Sequence, residues 1–161
     1  MILRYWFYII SIISMLAICS ALVAEYFFDL YPCYMCLKQR HPYYFIILIF
    51  FLFYFFKKLK IIWFFILSKI AILYGLFYSI WHIGIEQKIL KGPEKCSSNI
   101  SQIDSISNLK EKIMNTPVTS CEDIIWHIFG LSAATINTLI LILILIFNTI
   151  YLFKFYEAKE R

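Results

Sequence analysis

YPCYMCLKQRHPYYF, residues Tyr31 to Phe45, decides how this chain is read. Two cysteines stand two residues apart, an arginine and a proline follow, and an apolar run then continues to Phe56. Taken alone, Tyr43 to Phe56 is too short to cross a bilayer. A spanning helix needs about 20 mostly apolar residues, because lipid offers nothing to a backbone that is not internally bonded. The span must therefore begin near Arg40 and borrow from the dithiol stretch, which sets the two thiols at the membrane surface.

Three other runs reach spanning length. They extend roughly from Tyr5 to Ala24, from Lys69 to Ile85 and from Ile128 to Phe153, leaving outer loops at 25–39 and 86–127. The composition agrees: 161 residues, 62% hydrophobic and 16% charged, against about 45–50% apolar and about 25% charged for a globular domain. Such a chain has too little polar surface for a soluble core, so one membrane unit over residues 1–161 is expected. The net charge of +5 forms no basic stripe, which argues against nucleic acid as a partner. The first run starts directly after Arg4 and lacks a small-residue cleavage site, so it reads as a retained span. Between the second and third runs, KKLKIIWFFILSK reads as short, basic and partly interfacial. In the long loop, ISQIDSISNLKEKI (Ile100 to Ile113) carries apolar residues at the spacing of an amphipathic surface helix. The expected fold is an all-α four-helix transmembrane bundle with that short helix in its second outer loop.

Lysine and arginine placement orients the bundle. With the Lys57–Lys58–Lys60 loop inside, the cytoplasmic side holds eight basic residues and the opposite side seven. Density decides, because the inner ones crowd into short segments and most of the outer ones spread through the long loop. Both termini are then cytoplasmic and the loop cysteines face outward.

Cys33 and Cys36 form a C-x-x-C, a spacing at which each thiol can stabilise the other's thiolate. Arg40 follows Cys36 by one helical turn, and a fixed positive charge and a helix N-terminus both favour a thiolate. Pro42 suits a first helical turn. Cys96 and Cys121 lie 25 residues apart in the long loop, and a disulfide closing it would be exposed and accessible. From the residues alone, three readings of the four thiols stay open: redox exchange, structural disulfides, or a four-thiolate zinc site. Haem attachment is excluded, since position 37 is leucine. Cys19 lies inside the first run and reads as packing; His82, Asn137 and Asn148 read as hydrogen-bonded interior residues. His41, beside Arg40, is either a proton donor or a surface residue.

Three segments in order resemble the DsbB family of quinone-dependent membrane thiol oxidases. PCYMCLKQRHP is similar to the family's P-C-x-x-C-x-x-x-R. YSIWHIGIEQKILKGPEKC resembles a third span ending in His-x-Gly-x-Glu before Gly-Pro and the third cysteine. CEDIIWHIFGLSAATIN resembles the fourth cysteine followed by an acidic residue, Trp and Gly-Leu-Ser. The resemblance implies a protein of the bacterial inner membrane that reoxidises a periplasmic DsbA-type partner and passes the electrons to the quinone pool. It implies catalytic roles for Cys33, Cys36, Cys96 and Cys121, a Cys96–Cys121 disulfide as the partner's target, and Arg40 at ubiquinone or menaquinone; no metal is expected. Glu86, Gln87 and His82 would lie near the quinone side. The alternative is a non-enzymatic four-span adaptor with structural loop disulfides, which has no use for Arg40 beside the dithiol.

Overall fold

The computed structural model describes residues 2–56, 58, 60–93, 96, 120–122, 127–128 and 130–160. Among these are four helices: α1 (Ile2–Phe27), α2 (Tyr34–Phe55), α3 (Ile61–Glu86) and α4 (Ala133–Glu160). A small antiparallel hairpin, β1 (His127–Ile128) and β2 (Leu131–Ser132), precedes α4. The amphipathic helix expected at Ile100 to Ile113 falls outside the described residues.

The protein is an all-α membrane bundle. Three helices are long and apolar enough to cross a bilayer, over Tyr5–Phe27, Ile61–Glu86 and Ala133–Glu157. The fourth, α2, has 22 residues, about 33 Å at the helical rise, close to the roughly 30 Å of a hydrocarbon core. Its first turns are polar. Large apolar side chains face outward on every helix, among them Leu16, Leu48, Phe77 and Leu143, as expected where lipid replaces water. The interior packs large apolar side chains such as Phe64, Phe65 and Leu141 together with small and polar groups: Ser14, Ser79, Thr138 and Asn148 are buried. Serines and threonines bond back to their own helix, as Ser14 does to Ile10 and Thr138 to Ala134, and Asn148 crosses to the Phe65 carbonyl at 3.0 Å.

Each helix buries one face at three-to-four spacing. In α3 this face runs through Ala71, Ile72, Gly75, Ser79, His82 and Ile85; in α2 it runs through Met35, Gln39, Pro42, Ile46 and Ile49. Helix α3 packs between α2 and α4, and α1 packs on α2. The closest approach is at Gly75, where a Cβ would stand 2.8 Å from Pro42 Cγ and 3.1 Å from Leu141 Cδ1. A side chain there would force three helices apart.

Three helices start well away from where the sequence placed their spans. Helix α2 begins at Tyr34 because Cys33 caps it, its Sγ accepting the Cys36 N–H at 3.2 Å. Pro42 therefore lies well inside the helix rather than in its first turn, where its ring serves packing against Gly75. Helix α3 begins at Ile61, so IIWFFILS is helical and the α2–α3 connection is short. One lysine at position 69 does not break an otherwise apolar helix, since its stem can lie along apolar surface while its ammonium reaches out. Helix α4 begins at Ala133, after Gly130 (φ +78°) reverses the chain and Ser132 accepts the Thr135 N–H at 3.2 Å as an N-cap.

Candidate active site

The C-terminal ends of α1 and α3 meet the N-terminal ends of α2 and α4 at one end of the bundle, and every functional side chain described here lies there. Cys33, at the N-cap of α2, is buried, with its Sγ 2.7 Å from that of Cys36. The two are thiols, whereas Cys96 and Cys121 are joined in a disulfide. Pairing Cys96 with Cys121 removes the four-thiolate site left open by the sequence.

The second pair is not exposed, as the loop sequence suggested. Cys96 is 4% exposed and Cys121 is fully buried, and both pack in one cluster with Cys33, Met35 and Ile85. The Cys96 N–H bonds to the Pro93 carbonyl at 2.7 Å and the Cys121 N–H to the Cys96 carbonyl at 3.4 Å, tying the disulfide to the chain leaving α3. Apolar sulfur against apolar sulfur buries better than it solvates. The cluster thus collects all four loop cysteines.

The dithiol is electrostatically uneven. Cys33 is lowered from the ordinary thiol range to about 5, first by the hydrogen bond from Cys36, against burial, and then by His82. Cys36 is pushed up, by that same bond and by burial. One proton is shared, and Cys36 holds it. His82, on the buried face of α3, sets Nε2 3.5 Å from Cys33 Sγ and Nδ1 3.0 Å from Gln39 Nε2. Glu86 lies one turn further along the same face, with Oε1 3.9 Å from His82 Nε2 and Oε2 accepting the Ser132 hydroxyl at 2.6 Å.

Arg40 is held by a partner on another helix: its Nη1 donates to Glu25 Oε2 at 2.6 Å. Beside this pair α1, α2 and α4 enclose a cavity of about 180 Å³. The α1 wall is made of small residues, including Ala17, Ala21 and Ala24, and the polar end carries Cys36, Gln39, Arg40 and Asn137. A dry cavity of about 150 Å³ accommodates benzene, so this one is the size of a single six-membered ring. Apolar walls with a thiol, two amides and a guanidinium at one end fit a quinone head: flat and apolar, with carbonyl oxygens that accept hydrogen bonds.

Of the other residues singled out in the sequence, His41 is exposed and its Nδ1 lies 2.8 Å from the Leu37 carbonyl of its own helix. Cys19 faces outward from α1 and so is not interior packing. Asn137 is an interior hub, donating to Ser79 Oγ at 2.9 Å and accepting from Tyr43 at 2.6 Å. Glu25, Gln39 and the small α1 residues carried no motif. For Gln39 a signal did exist, a polar residue in phase with the buried positions 35 and 42.

The bundle and this end of it define a class, a membrane-embedded thiol–disulfide protein with one disulfide and one dithiol in a single side-chain cluster. The family described as "Disulfide bond formation protein DsbB" matches residues 3–151, and the chain belongs to this family. It is an enzyme of disulfide bond formation, which reoxidises a DsbA-type thiol oxidase and passes the electrons to membrane quinone. The DsbA–DsbB–quinone route is the established means of keeping the bacterial periplasm oxidising. The chain is also 33% identical over 143 residues to an uncharacterized protein of Rickettsia prowazekii (strain Madrid E), covering 88% of this chain and 83% of that one. No solved structure matches significantly.

Proposed function

We propose that residues 1–161 form one catalytic unit in which Cys96 and Cys121 receive electrons from a periplasmic DsbA-like partner and Cys33 and Cys36 deliver them to ubiquinone or menaquinone. The observation that carries this reading is one cluster in which Cys33, Cys96 and Cys121 are buried and the half-buried Cys36 packs against them, with Cys36 also lining a ring-sized cavity. The unit lies in the inner membrane with both termini cytoplasmic and the cysteine loops periplasmic. Support comes from the sequence, in which basic residues crowd into the short segments 57–60 and 154–161.

In the first exchange a donor thiolate attacks Cys96. A mixed disulfide forms, the Cys96–Cys121 bond breaks, and Cys121 leaves as a thiolate. Cys121 then attacks Cys33, the Cys33–Cys36 bond breaks, and the electron pair leaves on Cys36 at the cavity wall. The donor's second thiol closes the donor disulfide and releases Cys96, whose thiolate attacks Cys121, re-forming Cys96–Cys121 and freeing Cys33. Attack at Cys33 fits its place in the buried cluster that also holds Cys121. The quinone, when bound, supplies an acceptor for two electrons and two protons. Arg40 orients a carbonyl oxygen in the cavity and favours negative charge on Cys36 one turn away while Cys33 is bonded to Cys121; once both thiols are free, Cys36 carries the shared proton. Glu25 keeps the guanidinium at the wall, and the small α1 residues leave room for the ring.

The test is quinone reduction by the purified, detergent-solubilised protein with a reduced DsbA-type donor. We expect donor-dependent reduction that is lost in Cys36→Ser. Full-rate reduction by that variant would overturn the assignment.

A further inference from the structure

We infer that His82 is a catalytic hydrogen-bond donor to Cys33, which holds that sulfur as a thiolate and so draws the electron pair from the Cys96–Cys121 couple to the Cys33–Cys36 couple. The inference rests on the reading above, that the Cys33–Cys36 couple lies on the electron route.

With the side-chain amides oriented as in the structure, the hydrogen bonds put the proton of the neutral His82 ring on Nε2. Gln39 Nε2 lies 3.0 Å from His82 Nδ1, and an amide nitrogen can only donate. Nδ1 is therefore the acceptor, and the proton of the neutral ring is on Nε2. The amide orientation is consistent through the network, because Gln39 Oε1 accepts from Asn137 Nδ2 at 3.4 Å, the same nitrogen donates to Ser79, and Asn137 Oδ1 accepts from Tyr43. In this Gln39–Asn137 network each amide nitrogen donates and each amide oxygen accepts.

The Nε2 proton has two candidate acceptors. Cys33 Sγ at 3.5 Å is within reach for sulfur, whereas Glu86 Oε1 at 3.9 Å is beyond a hydrogen bond to oxygen. The other Glu86 oxygen is taken by Ser132. The proton thus points at the sulfur.

A thiolate is a far better acceptor than a disulfide sulfur. The same donor therefore stabilises the reduced couple over the oxidised one, and a stabilised reduced form makes a couple more oxidising. The charged and titratable groups around Cys33 are Cys36 and Arg40 on α2, Glu25 on α1 through Arg40, and His82 and Glu86 on α3. The phenols of Tyr34 and Tyr78 also pack against the cluster. The lowered titration of Cys33 runs in the direction required. In the net transfer the outer thiols lose two electrons and two protons as their disulfide forms. The Cys33–Cys36 bond breaks, both electrons pass to its sulfurs, Cys36 takes one proton, and the second proton goes to solvent.

The test uses the full-length protein in detergent equilibrated in glutathione buffers, with each cysteine pair quantified by peptide mass mapping and the alkylation rate of Cys33 followed against pH. His82→Ala should raise the alkylation midpoint by about one pH unit or more. It should also shift the Cys33–Cys36 couple roughly tenfold toward disulfide, about 30 mV for two electrons. His82→Gln keeps an N–H donor and should retain most of the wild-type midpoint. Wild-type midpoint and ratio in a His82→Ala protein that keeps its helix content and its Cys96–Cys121 disulfide would overturn the inference. Should His82→Ala not fold, Gln39→Leu, which releases the ring tautomer, must shift both readouts in the same direction; no shift overturns it equally. None of these readouts needs turnover, so a failure of donor-dependent quinone reduction in the wild type counts against the proposed function and not against the thiolate assignment.

Discussion

Removing Arg40 should do two separable things, and the structure says how to part them. In Arg40→Ala the Glu25 carboxylate loses the guanidinium that donates to it at 2.6 Å. The two side chains are 13% and 22% exposed, between the surface case, where a pair is worth about 0–1 kcal/mol, and the buried case, where breaking one costs about 3–5 kcal/mol. A loss of about 2 kcal/mol follows, which is a fall in melting temperature of about 5 °C for a chain of this length. The second effect is on the acceptor. A charged hydrogen bond to a quinone oxygen is worth about 1.5–3 kcal/mol, so kcat/KM for quinone should fall roughly 10- to 100-fold. The double variant Glu25→Gln/Arg40→Ala has no orphaned carboxylate and should recover most of the melting temperature while its quinone kinetics stay impaired. Thermal melts by circular dichroism and quinone absorbance kinetics on the same preparations decide this. Recovery of quinone kinetics in the double variant would show that Arg40 acts only by pairing Glu25, and the acceptor role would be wrong.

Filling the cavity should block one half of the reaction alone: Ala21→Leu puts added carbons into the ring space, where a single methylene is worth roughly 10-fold or more, so KM for quinone should rise by that factor while mixed-disulfide formation at Cys96 with a DsbA-type donor keeps its rate. Gly75→Ala places a Cβ 2.8 Å from the rigid Pro42 ring; overpacking of this kind costs about 1–3 kcal/mol, to be read as a lower melting temperature with the disulfide intact. Cys33 is a thiolate above about pH 5, so its alkylation by iodoacetamide should rise through that pH and level off well below neutrality. Its folded titration is depressed, so the stabilisation of the reduced couple is present above this range and lost as pH falls through it. Above pH 5 and below the raised Cys36 titration, the couple should take up one proton per two electrons, a slope of about 30 mV per pH unit; a slope of about 59 mV would show two protons and refute the shared-proton dithiol.

The sequence by itself determined the class of fold and the character of its most reactive segment. Apolar runs bounded by charge report span number because lipid imposes one length on any helix that crosses it, and length is read along one dimension. The C-x-x-C with Arg40 a turn later is equally local, since helical geometry brings i and i+4 together wherever the helix lies. Even the buried position of His82 was within reach, in phase with Ala71, Gly75 and Ser79 on α3.

What only the tertiary structure decided depends on how each helix is rotated against its neighbours. That Glu25 rather than Cys36 takes the Arg40 guanidinium, that Gln39 rather than Glu86 bonds to the His82 ring, and that alanines on α1 leave a ring-sized space are relations between helices with no signature in either strand of sequence. The same holds for the Cys96–Cys121 disulfide. Its loop is polar and reads as exposed, but sulfur, Met35 and Ile85 bury one another across three segments of chain, and that apolar contact outweighs the local preference for solvent.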